Sequence, residues 1–150
     1  MPGHGEYSVR QVEWSEFIET LRDIRSVVFI IEQKVPRDLE WDDKDEHAVH
    51  VLARDHDGTA VGTGRLLESG QIGRMAVLKS HRQKGAGTAI IEKLIAIAQD
   101  RNQSGLFLNA QVDAIGFYRR FGFVETGDEF MEAGIPHKKM VLRGSAGTNS

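Results

Sequence analysis

The sequence predicts a mixed α/β (α+β) fold, with helices on both faces of one mixed sheet and elements in the order β-α-β-β-β-α-β-α-β-β. Three observations carry this. Short alternating or compact apolar runs recur along the chain as strands. Two longer stretches repeat apolar residues at helical spacing. An Asp57-Gly58 pair sits between two strand-like runs, the signal of a tight hairpin.

Taken in order, Tyr7 to Trp14 alternates and reads as a strand, and Ser15 is placed to cap the helix that follows. Phe17, Leu21, Ile24, Val28 and Ile31 recur at helical spacing until Pro36 ends the pattern. An acidic stretch, Leu39 to His47, reads as a solvated charged face. Strand-like runs follow at Ala48 to Arg54, Ala60 to Leu67 and Gly70 to Leu78. A basic turn leads into a long helix with an apolar face of Ala89, Ile90, Leu94, Ile97 and Ala98. Leu106 to Gln111 is a compact strand, Ala114 to Phe121 a short helix, and Gly122 to Glu125 and His137 to Leu142 are the last strands.

The 150 residues suit one domain, residues 1–150, with loose ends at 1–6 and 144–150. Hydrophobic residues are 40% and charged residues 27% of the chain, the ordinary globular mixture. A net charge of −3 gives no overall basic field to recruit nucleic acid. The absence of cysteine excludes disulfides, thiolate metal sites and a cysteine nucleophile together. His47 and His50, three apart on a strand-like run, point to opposite faces, so no metal is expected. No run approaches the ~18 apolar residues that cross a bilayer. No signal peptide is apparent either, and the expected location is cytoplasmic.

The most informative segment is Arg82-Gln83-Lys84-Gly85-Ala86-Gly87-Thr88, between a strand and a helix. A helix N-terminus presents unpaired N–H groups and partial positive charge, which suits an anion. Gly85 and Gly87 let backbone approach that anion closely, and Lys79, His81, Arg82 and Lys84 add charge. The spacing is not that of a P-loop, and Gly62-Thr63-Gly64 lacks the third glycine of a dinucleotide fingerprint. Phosphate binding is supported, while kinase and dehydrogenase chemistry are not.

Arg82-x-x-Gly85-x-Gly87 resembles the pyrophosphate-binding motif of the GNAT acyltransferases. Gly73 to Val77 resembles the strand before that motif, and Asn109 to Phe123 the strand and helix after it, with Phe117-Tyr118-x-x-x-Gly122-Phe123. The resemblance runs from about Val9 to Leu142. It implies a mostly antiparallel central sheet, acetyl-CoA as cosubstrate, and transfer of acetyl to an amine. It further implies that Met75, Ala76 and Val77 line the pantetheine arm and that Val77 backbone polarises the thioester. Arg82, Gln83, Lys84, Gly85, Ala86, Gly87 and Thr88 would hold the pyrophosphate, with Asn109 and Tyr118 on the other side of the cofactor.

Acetyl transfer needs a neutral amine, donors for the developing oxyanion and a proton donor for the departing thiolate. Tyr118 is the candidate donor to that thiolate. His137, in Gly134-Ile135-Pro136-His137, is the candidate base, since imidazole titrates near neutrality. This segment resembles the glyphosate N-acetyltransferase branch, where a Pro-His before the last strand supplies the catalytic histidine. That branch holds an anionic substrate with arginines, whereas Gln111 stands here where an arginine is expected. Glu32, which stays open as another base, completes the substrate-side candidates with Arg74 and Gln111. With no cysteine, direct transfer in a ternary complex is the simpler route. The expected amine belongs to a small molecule. The alternatives are a protein or peptide amine, and a CoA-binding module without turnover. A homodimer is common among relatives, though no residue pattern demands one.

Overall fold

The computed structural model describes residues 7–143; the end segments expected to be loose lie outside the described residues. The elements are β1 (Ser8–Val12), α1 (Trp14–Arg25), a π-helical continuation (Ser26–Glu32), α2 (Arg37–Glu40), β2 (Val49–Arg54), β3 (Ala60–Leu66) and β4 (Gln71–Val77). They continue as α3 (Ala86–Asp100), β5 (Phe107–Gln111), α4 (Ile115–Arg119), β6 (Phe123–Glu132) and β7 (Ile135–Leu142). All seven strands form one sheet in the order β1-β2-β3-β4-β5-β7-β6. Every neighbouring pair is antiparallel except β4 with β5.

Alternation along β2 divides the core into two layers. Val49, Val51 and Ala53 face α3, whereas Leu52 packs with Leu21, Ile24 and Val28 from α1 and its continuation. Ile90, Ile91 and Leu94 of α3 are fully buried, each contributing about 1.5–3 kcal/mol by burial. Gly64 lets α3 approach this closely: a Cβ there would stand 2.8 Å from an Ile90 methyl and 2.9 Å from one of Leu94. Helix α4 packs its Ile115, Phe117 and Tyr118 on the same face as α3. No helix among the described residues is long and apolar enough to cross a membrane.

Several expectations are corrected locally. Helix α1 begins at Trp14, with Glu13 at the cap position and no side-chain cap bond, so Ser15 falls inside the first turn. From Ser26 the helix widens to π geometry, with Gln33 N–H donating to Val28 O at 3.2 Å. Widening shifts the phase of the side chains. Val28 is therefore buried while Ile31, expected on the same face, is 60% exposed. The last strand starts at Ile135, two residues earlier than expected, which places His137 inside β7 rather than at its first position. The acidic stretch is a solvated face only in part: Asp43, Lys44 and Glu46 are exposed, whereas Glu40, at the end of α2, and Asp45 are buried.

Those two acids belong to a network of three arginines and three carboxylates. Arg25, 1% exposed, donates to Glu40 Oε2 at 2.7 Å and Asp45 Oδ1 at 2.9 Å. Arg65 donates to Asp42 and Asp45, both at 3.0 Å. Arg74 donates to Asp42 Oδ2 at 3.2 Å and to the carbonyls of Leu39 and Glu40. Each buried charge meets an opposite one, as burial of charge requires. The Arg25 guanidinium also lies over the Trp14 and Trp41 rings. The network ties the loop after α2 to β3 and β4.

Candidate active site

Two features of β4 open the sheet. Thr63 pairs with Ala76 and Arg65 with Gly73, so Gly64 opposes both Arg74 and Met75 in a β-bulge. Arg74 accordingly takes a left-handed conformation at φ 49°, a state a non-glycine residue holds only when its surroundings over-determine it. Its hydrogen bonds to the 39–42 segment supply that determination. Below the bulge β4 and β5 pair in parallel at Gln71 with Phe107 and Ile72 with Leu108, and nowhere further. Past Ile72 the two strands part.

A cavity of about 420 Å³ occupies the gap, the size of a small-ligand site. Six of the residues singled out from sequence line it together: Arg74, Met75, Asn109, Gln111, Tyr118 and His137. Tyr118 reaches it from the α4 side, and its hydroxyl lies 3.6 Å from Met75 Sδ. Burial pushes the Tyr118 phenol up to about 12, so it is a proton-bearing donor at neutral pH. His137 enters from the opposite face of the sheet, directly across the β5–β7 pair from Gln111. Its Nδ1–H donates to Ile135 O at 2.7 Å, which leaves the Nε2 lone pair free when the ring is neutral. The Phe130 ring stacks on it at 5.9 Å between centroids.

Val77, one of the thioester-side candidates, keeps its backbone on the open edge. Leu78 N–H is the group that pairs back to β3, at Val61 O. The alternation of a strand therefore turns Val77 N–H and C=O away from β3. The carbonyl accepts from Arg82 Nε at 2.9 Å. Ala76 is buried in the core beside α1 instead, and the same alternation turns its backbone toward Thr63 of β3.

The second cleft lies over the start of α3 and is lined by Val77, Arg82, Gln83, Lys84, Gly85, Gly87 and Thr88. Opposite them stand Gly116, Phe117 and Arg120 of the α4 region, which sequence reasoning had not singled out for binding. Gly85 caps α3 at φ 102°, with no side chain on the helix end. The first backbone bond of the helix is from Ala89 N–H to Gly85 O. The N–H groups from Gln83 to Thr88 thus have no protein acceptor among the described residues, and they form a cradle for an anion. Gly87 faces Phe117, whose ring a Cβ would meet at 3.4 Å. Ala86 is fully buried and contributes backbone alone. The cradle and the open edge of β4 fit a phosphate-bearing thioester laid from one cleft into the other.

The remaining candidates are held elsewhere. Glu32 lines neither cleft and pairs with Arg82. Arg74 lines the cavity, but its guanidinium is already matched to Glu40 and Asp42. Burial pushes the Glu40 carboxyl above its ordinary value against the pull of Arg74 and Arg25. His50 is buried against Trp14, with its Nε2–H on Asp45 O at 2.8 Å, and is far from any ligand role. No group of three His, Asp or Glu able to hold a metal occurs among the described residues. Missed by sequence reasoning, Phe29, Gln33 and Val35 also line the cavity. Phe29 sits inside the apolar run Val27 to Ile31, and Gln33 and Val35 follow a π turn that helical periodicity does not anticipate.

A mixed seven-stranded sheet parted between β4 and β5, with an anion cradle at the following helix, defines an acyl-CoA N-acyltransferase. The comparisons agree. The acetyltransferase (GNAT) domain model matches residues 22–143. The chain is 39% identical over 130 residues to the uncharacterised N-acetyltransferase YjcF of Bacillus subtilis, covering 82% of this chain and 92% of that one. It is similar to the crystal structure of an acyl-CoA N-acyltransferase from Pseudomonas aeruginosa, with TM-score 0.78 and 28% identity over 91% of this chain and 97% of that one. Escherichia coli ElaA superposes with TM-score 0.80 at 25% identity, covering 91% and 99%. This chain belongs to the GNAT acetyltransferase family and is an acyl-CoA-dependent N-acetyltransferase.

Proposed function

We propose that the protein, acting as one domain, transfers acetyl from acetyl-CoA directly to the primary amine of a small molecule, in a ternary complex. The observation that carries this reading is the cavity between β4 and β5, which Tyr118 and His137 enter from opposite faces of the sheet. Acetyl-CoA supplies a thioester carbonyl open to attack. The N–H groups from Gln83 to Thr88, with Arg82, hold its pyrophosphate. Met75 and Val77, with Ala76 between them facing β3, border its arm along the open edge of β4, with Asn109 opposite. Val77 N–H donates to the oxygen on which charge develops.

The amine must attack as a neutral base. His137 Nε2 accepts the proton that the nitrogen sheds as it bonds to the carbonyl carbon. As the carbon–sulfur bond breaks, the sulfur leaves with the electron pair and Tyr118 O–H donates to it. An ordinary thiol titrates near 8.5, well below the phenol at about 12. Tyr118 therefore contributes a charge-assisted hydrogen bond, and the thiol collects its proton from solvent.

A small-molecule amine is favoured over a basic peptide. Within the acidic stretch Glu40, Asp42 and Asp45 are each occupied by an arginine, which leaves only Asp43 and Glu46 exposed to draw a basic peptide. A glyphosate-like dianion is disfavoured too, since Gln111 is neutral and Arg74 is already paired. Initial rates with both substrates varied test the mechanism. Intersecting double-reciprocal lines are expected for direct transfer, and parallel lines would replace it with an acyl-enzyme.

A further inference from the structure

The cavity wall beside His137 is formed by two glutamines. Gln111 Nε2 donates to Gln33 Oε1 at 3.0 Å, joining β5 to the end of the π-helical segment. Both side chains are half-buried and line the cavity. One hydrogen bond between two carboxamides leaves one whole NH2 group and one whole carbonyl oxygen unused, the Gln33 amide nitrogen and the Gln111 oxygen. That remainder is the same whichever glutamine donates. Neither free end has a protein partner among the described residues, and neither is among the buried unpaired atoms. The pair thus keeps a donor and an acceptor available at the cavity wall, with Gln111 directly across the β5–β7 pair from His137.

A carboxamide presents the complementary edge, a carbonyl oxygen and an N–H. A carboxylate presents acceptors only, and would set an oxygen against the free glutamine carbonyl with no unpaired arginine or lysine in the cavity lining to offset it. The guanidinium of Arg74, the one arginine or lysine among the described residues of that lining, is already matched to Glu40 and Asp42. Phe29, Val35 and Leu39 give the same cavity an apolar wall. We infer that the amine substrate carries a carboxamide close to its amino group and an apolar side chain: an α-amino amide. This rests on the N-acetyltransferase reading of the same cavity. Two sources share the chemistry, a free aminoacyl amide and a peptide N-terminus.

The test compares leucinamide, leucine, isoamylamine and a leucyl tripeptide amide. Acetylation is followed by product mass, and binding by thermal stabilisation of the CoA-saturated protein. Leucinamide is expected to exceed both leucine and isoamylamine at least ~10-fold in kcat/KM, because a site built for hydrogen bonds discriminates strongly against analogues lacking them. Gln111→Leu should bring the leucinamide to isoamylamine ratio close to one. Gln33→Leu, on the other arm of the bridge, should do the same and guards against a folding defect in the first variant. Equal rates for leucinamide and isoamylamine, or a preference for leucine, would overturn the inference. Preferential binding of the amide with no acetylated product would leave it standing and sink the catalytic reading instead. No stabilisation by any amide would overturn it. The tripeptide arm identifies the source: activity equal to that of leucinamide points to a peptide terminus, and loss of activity to a free amide.

Discussion

Tyr118 of α4 meets Met75 of β4, hydroxyl to thioether sulfur at 3.6 Å, so the phenol's only polar partner among the described residues is a weak acceptor. Its donor capacity is therefore available to a ligand in the gap. Tyr118→Phe should lower kcat about 10–100-fold, the loss of one hydrogen bond to a charged group at about 1.5–3 kcal/mol. KM for acetyl-CoA should change little, and so should the melting temperature. With the phenol pushed up to about 12, its ionisation removes no activity until the pH approaches that value. A kcat profile flat between pH 8 and pH 10, with amine held saturating, checks the sign.

His137→Ala should cost about 10²–10⁴-fold in kcat at neutral pH, the usual loss of a general base. Thermal stabilisation by acetyl-CoA should survive, since no part of the phosphate cradle touches this residue. Loss of both together would place His137 in the scaffold rather than in the chemistry.

Gly85 is left-handed at φ 102° at the helix start. Gly85→Val adds backbone strain and a branched side chain among the N–H groups that face the anion. We expect acetyl-CoA affinity to fall at least ~10-fold, against a stability loss of only about 1–3 kcal/mol. Calorimetric titration with CoA reads the first quantity, and denaturant unfolding the second.

Removing Arg25 should be the most damaging single change away from the clefts. Arg25→Met leaves Glu40 and Asp45 buried with less compensation, a loss of about 3–5 kcal/mol by analogy with other broken buried pairs. The network also predicts how stability responds to pH. Burial holds His50 below its ordinary value, so in the folded state it resists protonation that the unfolded chain accepts at 6.5. Stability from this residue is complete above pH 6.5 and is lost as pH falls toward the lowered value. His50→Gln should flatten that part of the stability profile, measured by denaturant midpoints between pH 5 and pH 7.

Much of this was legible in the sequence, for physical reasons. Strand alternation, the α3 apolar face and the glycine turn are local signals, and each of those elements formed close to its expected bounds. Six of the site residues met in one cavity because a resemblance fixed their order along the strands. The pairing of the acidic stretch was not legible. Glu40, Asp42 and Asp45 look like a solvated run until Arg25, Arg65 and Arg74 arrive from three distant elements. Nor was the role of Gln33, since a π turn rotates it into the cavity against the helical period. Arg74 illustrates the limit most plainly: a charged strand residue seemed free for a substrate, and the bulge spends its side chain on the neighbouring loop.

The most direct test of the central claim is thermal unfolding with and without acetyl-CoA, using NAD and ATP as controls. An acyl-CoA laid from the α3 cradle into the parted strands should stabilise the fold by ~2.7 kcal/mol at about 100 times its dissociation constant. NAD and ATP should give no comparable rise, and the Gly85→Val protein should show a diminished one. A folded sample that does not respond to millimolar acetyl-CoA would contradict the cofactor site and every role assigned around it.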